Sequence, residues 1–330
     1  MPHCNYAEIA AASYYELGHL VGEQFGDFLG RTLEAERQAS TWRTRCSRAQ
    51  ALLAPATKHF PHLTEELKGY SEAAGVPFEE LWAVSVEDEL TGGEVNKCTT
   101  IVTNNGQAIA HTEDWESNAR ETLSVLKKSV GELTILELFY ANTLGGNAIS
   151  INSHGIVHAV NTLSHTDHQV GVPRNVVARW LSETKSPDAD IRNLRNIRRS
   201  AGYHHTLLGT DGRLWSLECS ARRMQPSRPD CPFTHTNHFV TDLCAVEDSD
   251  GSCGTYQRYD RAIAQAQHSM TRAQLQTLLS DNSNGASASI FSDMTIGRAI
   301  IDLENLEAHF WLLREQESGW LRYPIDFLSK

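Results

Sequence analysis

The chain has 330 residues, of which 40% are hydrophobic and 21% are charged, the balance of an ordinary globular protein. Its 41 acidic and 29 basic residues give a formal net charge of -12, which repels phosphate backbones and anionic lipid surfaces. Nucleic acid and membranes are therefore poor candidates for partners, and neutral or cationic small molecules are better ones.

The N-terminus and the cysteines favour a cytoplasmic location. Residues 1–6 lack the basic region and apolar run of a signal peptide. No stretch reaches the roughly 18 apolar residues of a membrane-spanning helix. The seven cysteines are scattered and form no C-x-x-C pair. We therefore predict reduced thiols rather than a disulfide framework.

The first 97 residues are predicted to be helical. Apolar residues recur at helical spacing from Tyr14 to about Arg48. Pro61 and Pro77 each open a further helix, and the first of these ends before Gly75. Residues 91–97 contain two glycines and no periodicity, so they are predicted to form a linker.

From Cys98 onward the pattern changes to that of β-strands. Strands at 98–102 and 107–111 flank a tight turn at 104–106. Further strands are predicted at 123–130, 133–140, 148–152, 156–161, 205–208, 214–218, 295–303 and 308–313, and helices at 173–181, 188–200, 256–268 and 271–279. This order predicts an α/β fold with two antiparallel sheets and helices outside them.

The sharpest chemical signal is Lys97-Cys98-Thr99-Thr100, at the junction of linker and strand. An N-terminal cysteine carries its own base, because its α-amine titrates near pH 8 and lies within reach of its thiol. That arrangement requires the preceding peptide bond to be cut. The pattern is compatible with self-cleavage between Lys97 and Cys98, although by itself it favours the alternative, an inert buried thiol.

Six groups of segments, in this order along the chain, resemble one known family. They are 15–22, 60–67 with 75–81, 98–100, 152–161 with 171–173, 235–238 and 257–261. They resemble the isopenicillin N acyltransferase and carcinine hydrolase family of N-terminal-nucleophile (Ntn) hydrolases. The resemblance implies a four-layer αββα Ntn sandwich that needs no cofactor. It also implies that residues 1–97 form a helical α subunit, which stays associated with the β subunit 98–330 in one domain.

The resemblance also assigns roles to individual residues. Cys98 would cut the Lys97–Cys98 bond and then serve as the mature nucleophile, and Asn237 would stabilise the oxyanion. Asp114-Trp115-Glu116 stands where the family has Asn-Trp-Asp, whose last carboxylate orients the nucleophile. We therefore predict Glu116 in this role, with Asp114 as the alternative.

Other charged positions give further predictions. Arg258 and Arg261 lie three apart on a predicted helix, where they form either a carboxylate-binding face or a structural ion-pair site. We predict Arg258 and Thr100 as substrate-binding residues. His235 and His238 would face opposite sides of a strand, and no H-E-x-x-H pattern is present. We therefore predict no metal site.

Two departures from the family pattern bear on the reaction. Lys97 replaces the usual glycine and limits the backbone twist that self-cleavage exploits, which keeps open an unprocessed, non-catalytic ligand-binding protein. Phe291-Ser292 stands where the acyltransferase has a Ser-Arg pair, which favours hydrolysis over acyl-CoA-dependent acyl transfer. The predicted substrate is a linear C–N amide in a small molecule, of the N-acyl or β-alanyl amine type. The sequence leaves monomer and homodimer equally open.

Overall fold

The computed structural model describes residues 6–90, 98–115, 117–248 and 254–328. The helices within these ranges are α1 (Tyr14–Glu36), α2 (Trp42–His59), α3 (Pro61–Ala73), α4 (Phe78–Ser85), α5 (Arg174–Leu181), α6 (Pro187–Leu194), α7 (Thr255–Gln265) and α8 (Arg272–Leu278). The strands are β1 (Tyr6–Ala11), β2 (Thr99–Thr103), β3 (Ala108–Asp114), β4 (Leu123–Val130), β5 (Leu133–Tyr140), β6 (Ile149–Asn152), β7 (Ile156–Thr162), β8 (Tyr203–Gly209), β9 (Leu214–Cys219), β10 (Met224–Ser227), β11 (Phe233–His235), β12 (Thr295–Asp302), β13 (Glu307–Leu312) and β14 (Leu321–Pro324).

The strands form two sheets that are stacked face to face. The first sheet has the order β1-β4-β5-β6-β7-β8-β9-β10, and the second has the order β11-β2-β3-β12-β13-β14. Helices α1 to α6 pack on the outer face of the first sheet, around residues such as Leu126. The inner faces meet around Val125 and Ile109, and α7 and α8 cover the outer face of the second sheet around Ile101. The predicted α/β/β/α sandwich is confirmed.

The N-terminal segment differs from the predicted all-helical one by a strand. β1 pairs in parallel with β4, with Tyr6 opposite Val125 and Ala11 opposite Val130. Only Ala7 and Ile9 of this strand are buried. A period-two signal that short is outweighed by the long helical pattern that follows it. Residues 6–90 therefore contribute a strand to the first sheet as well as four α-helices.

The helix predicted over 14–48 is two helices, because the chain turns at 37–41 between α1 and α2. Ser40 and Thr41 lie in this turn, and such side chains compete with helical backbone bonds.

Two glycines let α1 and α3 cross closely. A Cβ at Gly18 would lie 1.7 Å from the Glu66 carbonyl oxygen, and one at Gly69 would lie 2.0 Å from that of Tyr15.

Smaller differences concern the ends of elements. The helix predicted over 188–200 ends at Leu194, and β14 is a strand that the sequence pattern did not predict. Across the described ranges, no helix combines the length and the apolar character that crossing a membrane would require.

Candidate active site

Cys98 directly precedes β2 and faces the space between the sheets. The β2–β3 hairpin pairs Thr103 with Ala108 and Thr99 with Thr112, so the next step of the register places Cys98 opposite Glu113. The side chain of Cys98 is 3% exposed, and it borders a cavity. The residue predicted as the nucleophile therefore lies where a small molecule can reach it.

The Cys98 cavity is lined by aromatic, amide, hydroxyl and small apolar side chains. Among the described residues, its wall includes two carboxylates and no lysine, arginine or histidine. The lining residues are Val84, Glu87, Cys98, Glu113, Trp115, Ala119, Thr122, Tyr140, Asn142, Thr143, Asn147, Val160, Thr162, Asn175 and Tyr203. A wall of this composition suits neutral or cationic molecules better than anions.

Four side chains, which we call the nucleophile cluster, meet beside this cavity: the buried Cys98, His111 and Glu113 and the half-buried Tyr140. A sulfur, an imidazole nitrogen and a carboxylate oxygen of the first three lie within 4.8 Å of one another. Nε2 of His111 is 2.9 Å from Oε2 of Glu113, and the Tyr140 hydroxyl donates to Oε1 at 2.7 Å. The carboxylate is thus held between two partners and faces the thiol.

The surroundings of Cys98 keep its thiol protonated. Burial raises the pKa of the Cys98 thiol well above its ordinary value, and the charges of Glu113 and Asp114 raise it further. A hydrogen bond from the backbone N–H of Asp114 and the charge of Arg258 lower that pKa by less. A proton must therefore leave the sulfur before or while it attacks a carbonyl carbon.

Arg258 links the nucleophile to Asn237. Its buried guanidinium donates to the Cys98 carbonyl oxygen at 2.9 Å, to Oγ1 of Thr99 at 3.0 Å and to Oδ1 of Asn237 at 2.8 Å. A guanidinium has only donors, so this contact fixes which end of the amide faces it. The Asn237 amide nitrogen points away from Arg258 and donates to the Thr162 carbonyl oxygen at 3.1 Å.

The position of Asn237 suits the predicted oxyanion role. Thr162 lines the cavity next to it, and the amide nitrogen has a second proton to offer. The backbone N–H of Asn237 donates to Oγ1 of Thr255, the first residue of α7, at 2.8 Å. The structure therefore brings Asn237 to Cys98 through α7, although Asn237 itself does not border the cavity.

The loop that carries Asn237 is also fixed by a buried carboxylate. Glu218 accepts hydrogen bonds from the backbone N–H groups of Val240 and Thr241, and its Oε1 is 2.9 Å from Nε2 of His235. The ring of His235 stacks on that of His204 at 3.4 Å between centroids. Both sides of Asn237 are thus tied to the first sheet, through Glu218 on β9.

The other residues predicted for the site either do not border the cavity or lie outside the described residues. Thr100 and Arg258 are fully buried and neither borders the cavity, because the Thr100 hydroxyl bonds His111 and Asn161 while Arg258 lies behind β2. Direct contact of either with substrate stays a prediction. Asp114 is buried on the face of β3 opposite to Glu113. Lys97 and Glu116 lie outside the described residues.

Sequence reasoning missed Glu113, His111 and Tyr140. The acidic run that contains Glu113 resembles a solvated strand end, yet Glu113 is 3% exposed. The register of a hairpin follows from its turn, and a three-residue turn at 104–106 would place Thr112 opposite Cys98. The loop is one residue longer, since Thr103 pairs with Ala108, and this one-residue shift brings Glu113 opposite Cys98.

The three donors of Cys98, His111 and Glu113 are types that zinc accepts. Nδ1 of His111 lies 2.9 Å from the Thr100 hydroxyl, and Nε2 lies 2.9 Å from Glu113. Both ring nitrogens therefore already have hydrogen-bond partners, and we assign no ion to this group.

Comparisons with known proteins identify a family and several similar proteins. The family described as acyl-coenzyme A:6-aminopenicillanic acid acyl-transferase matches residues 101–295, a range that includes Glu113, Asn237 and Arg258. The β-alanyl-dopamine/carcinine hydrolase of Drosophila melanogaster is 26% identical over 217 residues, which cover 56% of this chain and 55% of the relative. The match thus spans little more than half of that relative's length.

Solved structures with a similar arrangement are more distant. A variant of conjugated bile acid hydrolase from Clostridium perfringens has a TM-score of 0.44 and 10% identity, and the alignment covers 70% of this chain and 93% of that one. Penicillin V acylase from Agrobacterium tumefaciens has a TM-score of 0.45 and 12% identity, with 66% of this chain and 83% of that one covered.

Proposed function

The chain belongs to the acyl-coenzyme A:6-aminopenicillanic acid acyl-transferase family, and from this membership we propose that it is a self-processing amide hydrolase. It cuts its own Lys97–Cys98 bond and then hydrolyses a linear C–N amide in a small molecule through an acyl-enzyme on Cys98. The observation that carries the proposal is the position of Cys98, at the start of a strand and on the wall of a cavity.

The reaction has two stages. In the precursor, the Cys98 sulfur attacks the Lys97 carbonyl carbon, the amide bond breaks and a thioester forms. The break of the amide bond frees the α-amine of Cys98, and water then hydrolyses the thioester, which frees the Cys98 thiol and leaves a carboxylate on Lys97. In the mature enzyme the α-amine moves the proton, the sulfur attacks the substrate amide and water releases the acyl group. Asn237 stabilises the oxyanion in both stages.

The cavity supports a substrate class. Its wall offers the carboxylates of Glu87 and Glu113 and the aromatic rings of Trp115, Tyr140 and Tyr203. Carboxylates and aromatic rings both attract an ammonium group. We therefore favour amides with a neutral or cationic acyl or amine part, such as β-alanyl amines, over N-acylated amino acids with a free carboxylate.

Acyl transfer is the second candidate, because the family carries the name of an acyl-transferase. A transferase passes the acyl group from the Cys98 thioester to an amine, and a hydrolase passes it to water. Turnover of one amide in the presence of an added amine or of coenzyme A separates the two activities. We expect free acid as the main product, whereas a new amide or a coenzyme A thioester would favour transfer.

The test of the proposed function compares the wild-type chain with Cys98→Ala by intact mass after several days at neutral pH. We expect two wild-type fragments whose masses add up to the chain plus one water, divided between Lys97 and Cys98. We expect the variant to stay whole and to turn over no amide. A wild-type chain that stays uncleaved would contradict the proposed mechanism and favour a non-catalytic ligand-binding protein.

A further inference from the structure

Cleavage of the precursor needs a base that the α-amine cannot supply. Before cleavage the nitrogen of Cys98 belongs to an amide, which does not accept a proton at neutral pH. The thiol itself is protonated, since burial and the charges of Glu113 and Asp114 raise its pKa well above the ordinary value. Some other group must accept the thiol proton during the first attack.

We propose that Glu113 is this base and that His111 and Tyr140 position it. The proposal rests on the proposed function, because it requires Cys98 to be the nucleophile. Its basis is the geometry of the β2–β3 hairpin, whose register places the Glu113 carboxylate opposite the thiol. An oxygen of this carboxylate lies within 4.8 Å of the sulfur, and Glu113 borders the same cavity as Cys98.

The hydrogen bonds around Glu113 hold it ready to receive a proton. Thr100 gives its hydroxyl proton to Oδ1 of Asn161 and therefore accepts one from Nδ1 of His111. A second proton must therefore lie between Nε2 of His111 and Oε2 of Glu113, which are 2.9 Å apart. The His111–Glu113 pair is then either an imidazolium beside a carboxylate or a neutral imidazole beside a protonated carboxyl group. In the charged form the carboxylate can take the thiol proton, and the imidazolium keeps its hydrogen bond to that carboxylate.

The other groups that face the thiol do not offer the same chemistry. Asp114 on β3 presents its backbone N–H to the sulfur, and Arg258 on α7 is a cation that has no proton-accepting atom. Burial and the nearby Glu113 raise the pKa of the Tyr140 hydroxyl on β5 well above its usual value, so it stays a donor. Among these groups, Glu113 is therefore the one that can accept the thiol proton of Cys98.

The step balances in atoms and electrons. The S–H bond of Cys98 breaks and its proton passes to the Glu113 carboxylate. The sulfur forms a bond to the carbonyl carbon, whose π electrons move to oxygen near Asn237. When the C–N bond breaks, the leaving nitrogen takes the proton back from Glu113. No oxidant, reductant or cofactor takes part.

The experiment measures self-cleavage of Glu113→Gln by intact mass, beside the matched control Glu307→Gln. Glu307 lies in the same sheet on β13, where its Oε2 is 3.0 Å from Nε2 of His309 two residues away, so it repeats the Glu–His pair far from Cys98. We expect Glu113→Gln to cleave at least about a hundredfold more slowly, the usual contribution of a general base. We expect Glu307→Gln to cleave at the wild-type rate.

A second variant, Glu113→Ala, separates proton transfer from a structural role. It leaves space beside the thiol that formate can enter from the cavity, and we expect its cleavage rate to rise with formate concentration. Circular dichroism checks that each variant is folded. Cleavage of folded Glu113→Gln at the control rate, or no formate effect on folded Glu113→Ala, would overturn the proposal and leave the proposed function intact. Failure of wild type and Glu307→Gln to cleave would instead remove both.

Discussion

Two largely buried polar clusters lie on either side of the first sheet, and they differ in the groups that they bring together. The nucleophile cluster lies on the inner face. A second group, which we call the ion cluster, lies between the outer face and the helices, and its members are Glu66, Lys128, Glu137, Arg179 and Glu183. Both groups are withdrawn from solvent, so the burial of polar side chains does not by itself mark a functional site.

The ion cluster pairs its charges. Lys128 lies 2.6 Å from Glu137, and Arg179 lies 2.8 Å from Glu66 and 2.7 Å from Glu183. Burial raises the pKa of the Glu183 carboxyl, but the charges of Arg179, His62 and Lys128 and a hydrogen bond from His62 together lower it by more, so Glu183 stays ionised. Such pairs lose most when one partner is removed.

The nucleophile cluster places acid groups together. Glu113, the Cys98 thiol and the Tyr140 hydroxyl share one small volume beside a cavity, and the cation Arg258 reaches the backbone of Cys98 from behind the strand. Groups that compete for a proton in this way are poorly suited to stabilising a fold and well suited to moving a proton. The comparison indicates that a group of acids beside a cavity, rather than burial, separates the candidate active site from the ion cluster.

The ion cluster also bears on the fate of the two fragments after self-cleavage. Glu66 belongs to α3, before the proposed cleavage bond, whereas Lys128, Glu137 and Arg179 lie after it. Ion pairs to Glu66 and the pairing of β1 with β4 both cross from one proposed fragment to the other. These contacts support the proposal that the two fragments remain associated.

The largest expected effect comes from breaking the ion cluster with Arg179→Met. This change leaves Glu66 and Glu183 buried without their main partner, and we expect a loss of about 3–5 kcal/mol in the free energy of unfolding, measured in urea. Self-cleavage of the folded variant should stay near the wild-type rate. Adding Glu66→Gln should recover part of the loss, because it removes one unpaired charge. Unchanged urea stability would mean that these ion pairs do not hold the helices to the sheet.

The second largest effect is expected from Asn237→Ala, which tests the candidate active site. We expect turnover and self-cleavage to fall about a hundred- to a thousandfold, or about 2.7–4 kcal/mol in the barrier, as for the loss of an oxyanion donor. Asn152→Ala is the matched control, because the Asn152 amide nitrogen donates to the carbonyl oxygens of Ser182 and Thr184 away from the cavity. It should lose stability and keep its rate. Equal rate losses in both variants would count against the oxyanion role.

Much of the second sheet could be predicted from the sequence because its signals are local. The β-branched run after Cys98 and the turn at 104–106 specify a hairpin, and the structure has it as β2 and β3. β1 could not be predicted so easily, because the strand that it pairs with, β4, lies more than a hundred residues later. The same holds for Tyr140, which reaches Glu113 from the other sheet.

The site was predictable only in part for the same reason. Cys98 stands out by its place between linker and strand, but its role, like that of Asn237, was identified through resemblance. Arg258 has no local signal for the part it plays, since it lies 160 residues from Cys98 along the chain and its guanidinium meets the Cys98 carbonyl oxygen only after α7 has packed on β2. Local patterns fix elements, and the contacts between distant elements fix the chemistry.

The smallest expected effect probes the solvent-exposed rim of the ion cluster with His62→Gln. Nε2 of His62 lies 3.2 Å from Glu183, but the His62 side chain is 32% exposed, and Glu183 keeps its bond to Arg179. We expect a loss of about 0.5 kcal/mol or less in the free energy of unfolding, as for other exposed pairs. Raising the salt concentration should reduce this loss further. A loss of unfolding free energy near that of Arg179→Met would show that the exposure of a residue in the ion cluster does not determine its contribution to stability. The distinction between a paired interior and a solvent-exposed rim would then be wrong.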